Sequence, residues 1–73
     1  MEAKEIIEFI QSILDQDDIN KLNFANKVTP SENRRTLLRG FFHRESVFNK
    51  IKPTVDPTWL CSEIITKGSH YEF

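Results

Sequence analysis

A chain of 73 residues has room for one domain, residues 1–73, and buries only about 60% of the surface that its unfolded form exposes. The single cysteine, Cys61, excludes an intramolecular disulfide and, with no signal peptide in evidence, predicts a reducing, cytoplasmic setting. No apolar run approaches the roughly 20 residues that a membrane span needs, which argues against a membrane protein.

Charge is segregated along the chain although the net charge is only −1. Residues 1–26 hold six acidic and two basic side chains, residues 27–52 hold seven basic and two acidic ones, and residues 53–73 are acidic again. Such a distribution either pairs within the molecule or presents faces of opposite charge to partners.

The first predicted element is a helix over residues 2–16. Its apolar side chains recur at spacings of three and four, which places them on one face. That face consists of Ile6, Ile7, Ile10, Ile13 and Leu14, widened by Phe9. It is more aliphatic surface than a bundle of this size easily covers, so we expect this helix to form the contact of a homodimer.

The second predicted helix covers residues 17–28, with Asp17 as its N-cap. Ile19 and Leu22 follow a helical period. The segment is rich in asparagine and aspartate, which have poor helix propensity, so the arguments for it are the cap and the periodicity.

The third predicted helix begins with the capping box Thr29-Pro30-Ser31-Glu32 and runs to Lys52, before Pro53 ends it. Its inner face is predicted to consist of Leu37, Leu38, Phe41, Phe42, Phe48 and Ile51. A glycine in mid-helix costs about 1 kcal/mol relative to alanine, so Gly40 marks the expected position of a kink or break.

The fourth predicted helix covers residues 56–68, with Asp56 as N-cap and Gly68 at its end. Its inward residues are predicted to be Trp59, Leu60 and Ile64. The β-branched stretch leaves a strand over residues 59–66 as the alternative. The tail, residues 70–73, is expected either to fray or to reach a partner.

These elements predict an all-α fold, a small bundle of three to four helices that is expected to be dimeric. The two histidines and Cys61 are too few and too scattered for a metal site, and no glycine-rich phosphate loop is present, so no cofactor is expected. No nucleophile, base and oxyanion donor can be assembled from the sequence, which favours a binding protein over an enzyme.

One candidate binding motif lies in residues 35–42. Leu38 is followed three and four positions later by Phe41 and Phe42, which places all three on one side of a helical turn. The pattern resembles the clamp-binding box of proteins that dock on DNA sliding clamps, with Arg35 in place of the box's glutamine. Burial of the same side chains in the helix core is the alternative.

A second motif, Leu22-Asn23-Phe24, resembles the shorter clamp-binding motif of bacterial clamp ligands. Near it Asp15, Asp17 and Asp18 form an acidic corner that could mimic DNA phosphates. A solvated helix cap is the alternative reading of these charges.

Together the motifs resemble those of small phage-encoded inhibitors of the bacterial DNA sliding clamp. The resemblance implies a protein that blocks clamp loading or polymerase docking in the host cytoplasm. Residues assigned to partner binding on this basis are Asp15, Asp17, Asp18, Leu22, Phe24, Arg35, Leu38, Arg39, Phe41 and Phe42.

A regulator that binds DNA is the rival interpretation. Residues 25–31 and the following helix resemble a helix-turn-helix in outline, as in repressors and antitoxins. Phosphates or bases would then be contacted by Arg34, Arg35, Arg39 and Arg44. Because a dedicated DNA-binding protein usually carries a basic excess, the slightly negative net charge favours a protein partner over nucleic acid.

Overall fold

The chain forms five helices and no strand in the computed structural model, which describes residues 1–73. The helices are α1 (Ala3–Ile13), α2 (Gln16–Lys27), α3 (Ser31–Phe42), α4 (Glu45–Ile51) and α5 (Pro57–Lys67). The predicted all-α class is confirmed, and residues 59–66 are helical. The number of helices exceeds the predicted three to four because the third predicted helix is divided into α3 and α4. No helix has both the length and the apolar character required to cross a membrane.

The boundary between α1 and α2 lies earlier than predicted. At the start of α1 the backbone N–H of Glu2 donates to Glu5 Oε1 at 3.2 Å, and the helix ends at Ile13. Asp15, rather than Asp17, caps α2, since its Oδ1 accepts from the backbone N–H of Asp18 at 2.9 Å. The cap satisfies one of the amides that a helix start leaves free.

The predicted third helix breaks after Phe42 and not at Gly40. The reason is the phase of its apolar residues. At about 100° per residue, a continuous helix would place Val47 about 180° from Leu38. Both side chains are fully buried, so the chain turns at His43 and Arg44 to bring α4 back onto the core.

The other helix ends test the predicted caps. The N-cap of α3 is Pro30 and makes no side-chain hydrogen bond, so the predicted Thr29 capping box is wrong. In α5 the prediction is confirmed: Asp56 Oδ1 accepts from Thr58 N–H at 3.0 Å, and Gly68 ends the helix.

The core centres on α3, which packs against α2, α4 and α5. Its buried apolar members are Ile6, Ile10, Leu14, Ile19, Leu22, Ala25, Leu38, Phe41, Phe42, Val47, Ile51, Leu60, Cys61, Ile64 and Phe73. No buried side-chain nitrogen or oxygen lacks a hydrogen-bond partner. The single chain therefore closes its own core without an orphaned polar group.

Two expectations about apolar faces need correction. Trp59 was predicted to point inward, but it is 39% exposed because the buried face of α5 is formed by Pro57, Leu60 and Ile64 on the opposite side of the helix. The stripe of α1 is largely covered by the chain itself, with Ile6 and Ile10 buried and the flanking residues packed against the core.

The C-terminal tail packs onto the bundle. Phe73 is buried, its backbone N–H donates to Asn23 Oδ1 at 2.7 Å, and its carbonyl accepts from Gln11 Nε2 at 2.9 Å. Tyr71 O accepts a bond of 3.2 Å from Asn26 Nδ2. The tail thus joins α1 to α2, and neither predicted alternative describes it.

A buried arginine ties the ends of two helices together. Arg34, in the first turn of α3, donates from Nε to the carbonyl of Asn26 at 2.8 Å and from Nη2 to its Oδ1 at 2.7 Å. Nη1 and Nη2 reach the carbonyls of Ile65 and Ile64 at 2.8 and 2.6 Å. The cation therefore lies at the negative ends of α2 and α5, which favour a positive charge. Burial lowers the pKa of the Arg34 guanidinium.

Candidate functional site

An apolar groove runs along the surface between α2 and α3, and we call it the α2–α3 groove. It has a volume of about 500 Å³ and is open to solvent. Its lining consists of Asp17, Asn20, Lys21, Phe24, Ala25, Thr36, Leu37, Gly40, Phe41 and Arg44.

The two helices form an antiparallel hairpin, and this sets the length of the groove. The turn between them is only residues 28–30, and an ion pair of 3.9 Å joins Asp18, at the start of α2, to Arg44, just beyond the end of α3. From Asp17 to Phe24 the groove follows α2 for two turns, about 10 Å. An antiparallel hairpin differs from a helix-turn-helix, whose helices cross at about 90–120°.

The apolar end of the groove exposes two large side chains. Phe24 is 70% exposed and Leu37 is 42% exposed, although both lie on well-formed helices. Single exposed apolar residues are common, but these two share one groove with Ala25 and the edge of Phe41. Apolar surface collected in a concavity is typical of a contact for another molecule.

Gly40 keeps the floor of the groove open. A Cβ placed on Gly40 would meet nothing within 4 Å, so the residue contributes empty space where α3 would otherwise project a side chain. The structure gives no backbone reason for glycine here, since Gly40 lies inside a continuous helix and its φ is not positive.

Replacing Gly40 with alanine is therefore expected to stabilise the fold by about 0.5–1 kcal/mol, because the helix gains propensity without a clash. Gly68→Ala is the matched control, for which we expect a change in stability of the opposite sign. Its Cβ would lie 2.8 Å from the Ile64 carbonyl oxygen, which is fixed backbone, so the variant should lose stability. Thermal unfolding of both variants measures the effect, and a destabilised Gly40→Ala would contradict an open groove floor.

The polar end of the groove carries an excess of positive charge. Asp17 pairs with Lys21 at 3.0 Å. Asp18 is shared by Arg44 at 3.9 Å and Lys50 at 3.7 Å, while the cationic side chains remain about half exposed. Three cations thus share two carboxylates, which leaves one positive charge in excess at this end for an incoming anion.

The clamp-box residues lie in the core. Leu38 and Phe42 are fully buried and Phe41 is 6% exposed, with its ring packed edge-on against Phe42 at 5.2 Å between centroids. Leu22 of the shorter motif is also fully buried. In this conformation only Phe24 of the predicted apolar anchors is available to a partner, and the core alternative describes the other four.

The acidic corner makes contacts within the molecule, although the Asp17 side chain stays 77% exposed. Asp15 caps α2, Asp17 pairs with Lys21, and the Asp18 side chain is only 13% exposed between two cations. These contacts correspond to the helix-cap alternative more closely than to a free acidic patch.

The predicted arginines separate into three groups. Arg34 is buried in the core network and cannot contact DNA. Arg35 and Arg39 are exposed, but helical phase places them on the side of α3 away from the groove, where the charge of Arg39 acts on Cys61 of α5. Arg44 lines the groove itself.

The structure places no group of three histidine, cysteine, aspartate or glutamate side chains together that could hold a metal ion. Cys61 is buried, and burial raises the pKa of its thiol, although Arg39 acts in the opposite direction. A thiol of raised pKa is a poor nucleophile.

Leu37 and Gly40 are site residues that the sequence interpretation did not assign to binding. Gly40 was assigned only a backbone role, and Leu37 was assigned to the inner face. Helical phase was the available signal, since Leu37 lies about 100° from the buried Leu38.

Comparison of the chain with protein-family models, curated proteins and solved structures finds no match. The functional proposal therefore depends on the geometry of the groove.

Proposed function

We propose that this chain is a non-enzymatic binding protein that recognises a protein partner through the α2–α3 groove. The observation that carries the proposal is the exposure of Phe24 beside a groove whose floor is left open at Gly40. Buried polar side chains are all satisfied within the molecule, and the Phe24 ring is not part of the hydrophobic core. Aromatic side chains at such positions often dominate binding energy.

The bacterial DNA sliding clamp remains the specific partner that the sequence motifs predict. In that case the proposal is a phage-encoded inhibitor that acts in the host cytoplasm and obstructs clamp loading or polymerase docking. Phe24 would be the anchor, since the buried Phe41 and Phe42 are not accessible in this fold.

Binding of the full chain to a purified bacterial clamp tests this proposal. We expect stoichiometric binding that Phe24→Ser weakens about tenfold or more, because the variant removes the exposed anchor. The double variant Arg35→Glu with Arg39→Glu is the control, since both residues lie outside the groove, and it should retain binding. Absence of clamp binding would reject the clamp as the partner.

The same double variant examines the rival function. The exposed Arg35 and Arg39 are the side chains of α3 still available to a DNA duplex. Retention of the wild type on duplex DNA at moderate salt, lost in the double variant and accompanied by no protein binding, would favour a DNA-binding regulator.

Self-association through α1 also stays a proposal. The half-buried Ile7, Phe9 and Ile13 are the side chains that a second copy would cover. The fold closes without this contact, so we expect any such dimer to be weak and to dissociate on dilution.

A further inference from the structure

We propose that the α2–α3 groove is occupied by one amphipathic helix of the partner protein, with an acidic side chain of that helix paired to Arg44. The inference rests on the proposed protein-binding function but does not require the partner to be the sliding clamp.

The length of the groove matches two turns of a helix. The lining side chains on α2 extend about 10 Å from Asp17 to Phe24, and residues seven apart on a partner helix are separated by about the same distance. Apolar side chains at positions i, i+3 or i+4, and i+7 would therefore cover the floor at Gly40 and contact Phe24 and Leu37. This is how an amphipathic helix docks into an apolar groove.

Charge gives the occupant an orientation. Phe24 lies at one end of the groove, whereas Arg44 lies at the other, one turn beyond Phe41, where Arg44 and Lys50 share one carboxylate. A partner helix with a carboxylate within one turn of its terminal anchor places that charge beside Arg44. At the opposite end Lys27, one turn beyond Phe24, is already paired with Glu72, so the unbalanced positive charge lies at the Arg44 end.

Selection from a phage-displayed library of helical peptides on the immobilised full chain tests the inference. We expect enriched peptides to carry apolar residues at i, i+3 or i+4, and i+7, with aspartate or glutamate beside one terminal anchor. A synthetic peptide of the enriched sequence should bind Gly40→Leu about tenfold more weakly than wild type, because leucine fills the floor. Phe24→Ser should weaken binding similarly, whereas Arg35→Ala should not.

A charge exchange tests the orientation. Arg44→Glu should bind the acidic peptide more weakly than wild type does. The same variant should bind well a peptide in which lysine replaces the acidic residue. Circular dichroism verifies that each variant folds.

Several results would overturn the inference. These are the absence of enrichment, enrichment of extended proline-rich peptides, or equal binding by Gly40→Leu. A concentration-dependent dimer abolished by Phe24→Ser would assign the groove to a second copy instead. Clamp binding that survives Gly40→Leu would reject the groove inference and move the protein-binding function to another surface of the chain. DNA retention with no protein or peptide binding would reject the protein-binding function itself.

Discussion

Replacing Arg34 with alanine is expected to lower the free energy of unfolding by about 3 kcal/mol. Arg34 is 8% exposed, and its guanidinium binds four acceptors: the carbonyls of Asn26, Ile64 and Ile65 and the Asn26 side chain. Removal would leave the two Asn26 oxygens and the Ile65 carbonyl without this donor, whereas the Ile64 carbonyl would keep its 2.9 Å bond from the Gly68 N–H. Each buried unsatisfied group costs about 1–3 kcal/mol.

The effect should be visible as a drop in melting temperature. The melting temperature of a domain of this size falls by about 4–8 °C for each kcal/mol of unfolding free energy lost, so Arg34→Ala should melt about 12–24 °C below wild type. Arg34→Lys should lose less stability than Arg34→Ala but remain less stable than wild type, since one ammonium cannot reach all the acceptors that the planar guanidinium spans. The effect should be the same at pH 5 and pH 8 because arginine stays charged throughout.

Arg35→Ala is the matched control, one residue away and exposed. Its melting temperature should stay near that of wild type, since surface substitutions usually change stability by less than about 0.5 kcal/mol. Equal melting temperatures for the Arg34 and Arg35 variants would contradict the buried network.

Helical phase explains which parts of the fold the sequence predicts. The spacing of Ile6 and Ile10 predicts α1, and Asp56 with Gly68 predicts both ends of α5. The same rule applied more strictly separates Arg34 from Arg35, because Arg34 lies four residues before Leu38, on the buried face. Composition alone cannot make this distinction, since both arginines belong to the basic third of the chain.

The asparagines of α2 show where local rules fail. Their low helix propensity argues against a helix at residues 17–28, yet the helix forms with two of them serving tertiary contacts. Asn23 binds the backbone of Phe73, and Asn26 binds Gly68, Tyr71 and Arg34. These partners are 8 to 50 residues away in sequence, so no local pattern could have identified them.

The candidate site was predictable only in part for the same reason. The motif Leu22-Asn23-Phe24 predicts that both of its apolar residues bind a partner. Residues two apart on a helix, however, lie about 160° from one another. One of the two apolar residues must therefore be buried while the other is exposed, and the packing of α2 on α3 decides which. The groove itself requires the hairpin, which the turn at residues 28–30 permits but does not dictate.

Phe42→Ala and Phe24→Ala should separate folding from binding, and Phe42→Ala is expected to produce the larger loss of stability. Phe42 is fully buried and its ring contacts that of Phe41 at 5.2 Å. Truncating such a side chain leaves a cavity and costs about 3–5 kcal/mol, a large share of the stability of a 73-residue domain. Phe24→Ala removes an exposed ring and should change the free energy of unfolding by less than about 0.5 kcal/mol.

The binding measurements should rank the two variants in the reverse order. Below its melting temperature, folded Phe42→Ala should bind the partner or selected peptide with nearly the wild-type affinity, since the groove does not include Phe42. Phe24→Ala should bind about tenfold more weakly at full stability. Urea titration measures the free energy of unfolding of each variant, and fluorescence anisotropy measures its affinity for the peptide. The opposite result would be a Phe42→Ala variant that keeps its stability and loses binding, with a Phe24→Ala variant that loses stability and keeps binding. In that case the interface would be the box at residues 35–42 and not the α2–α3 groove.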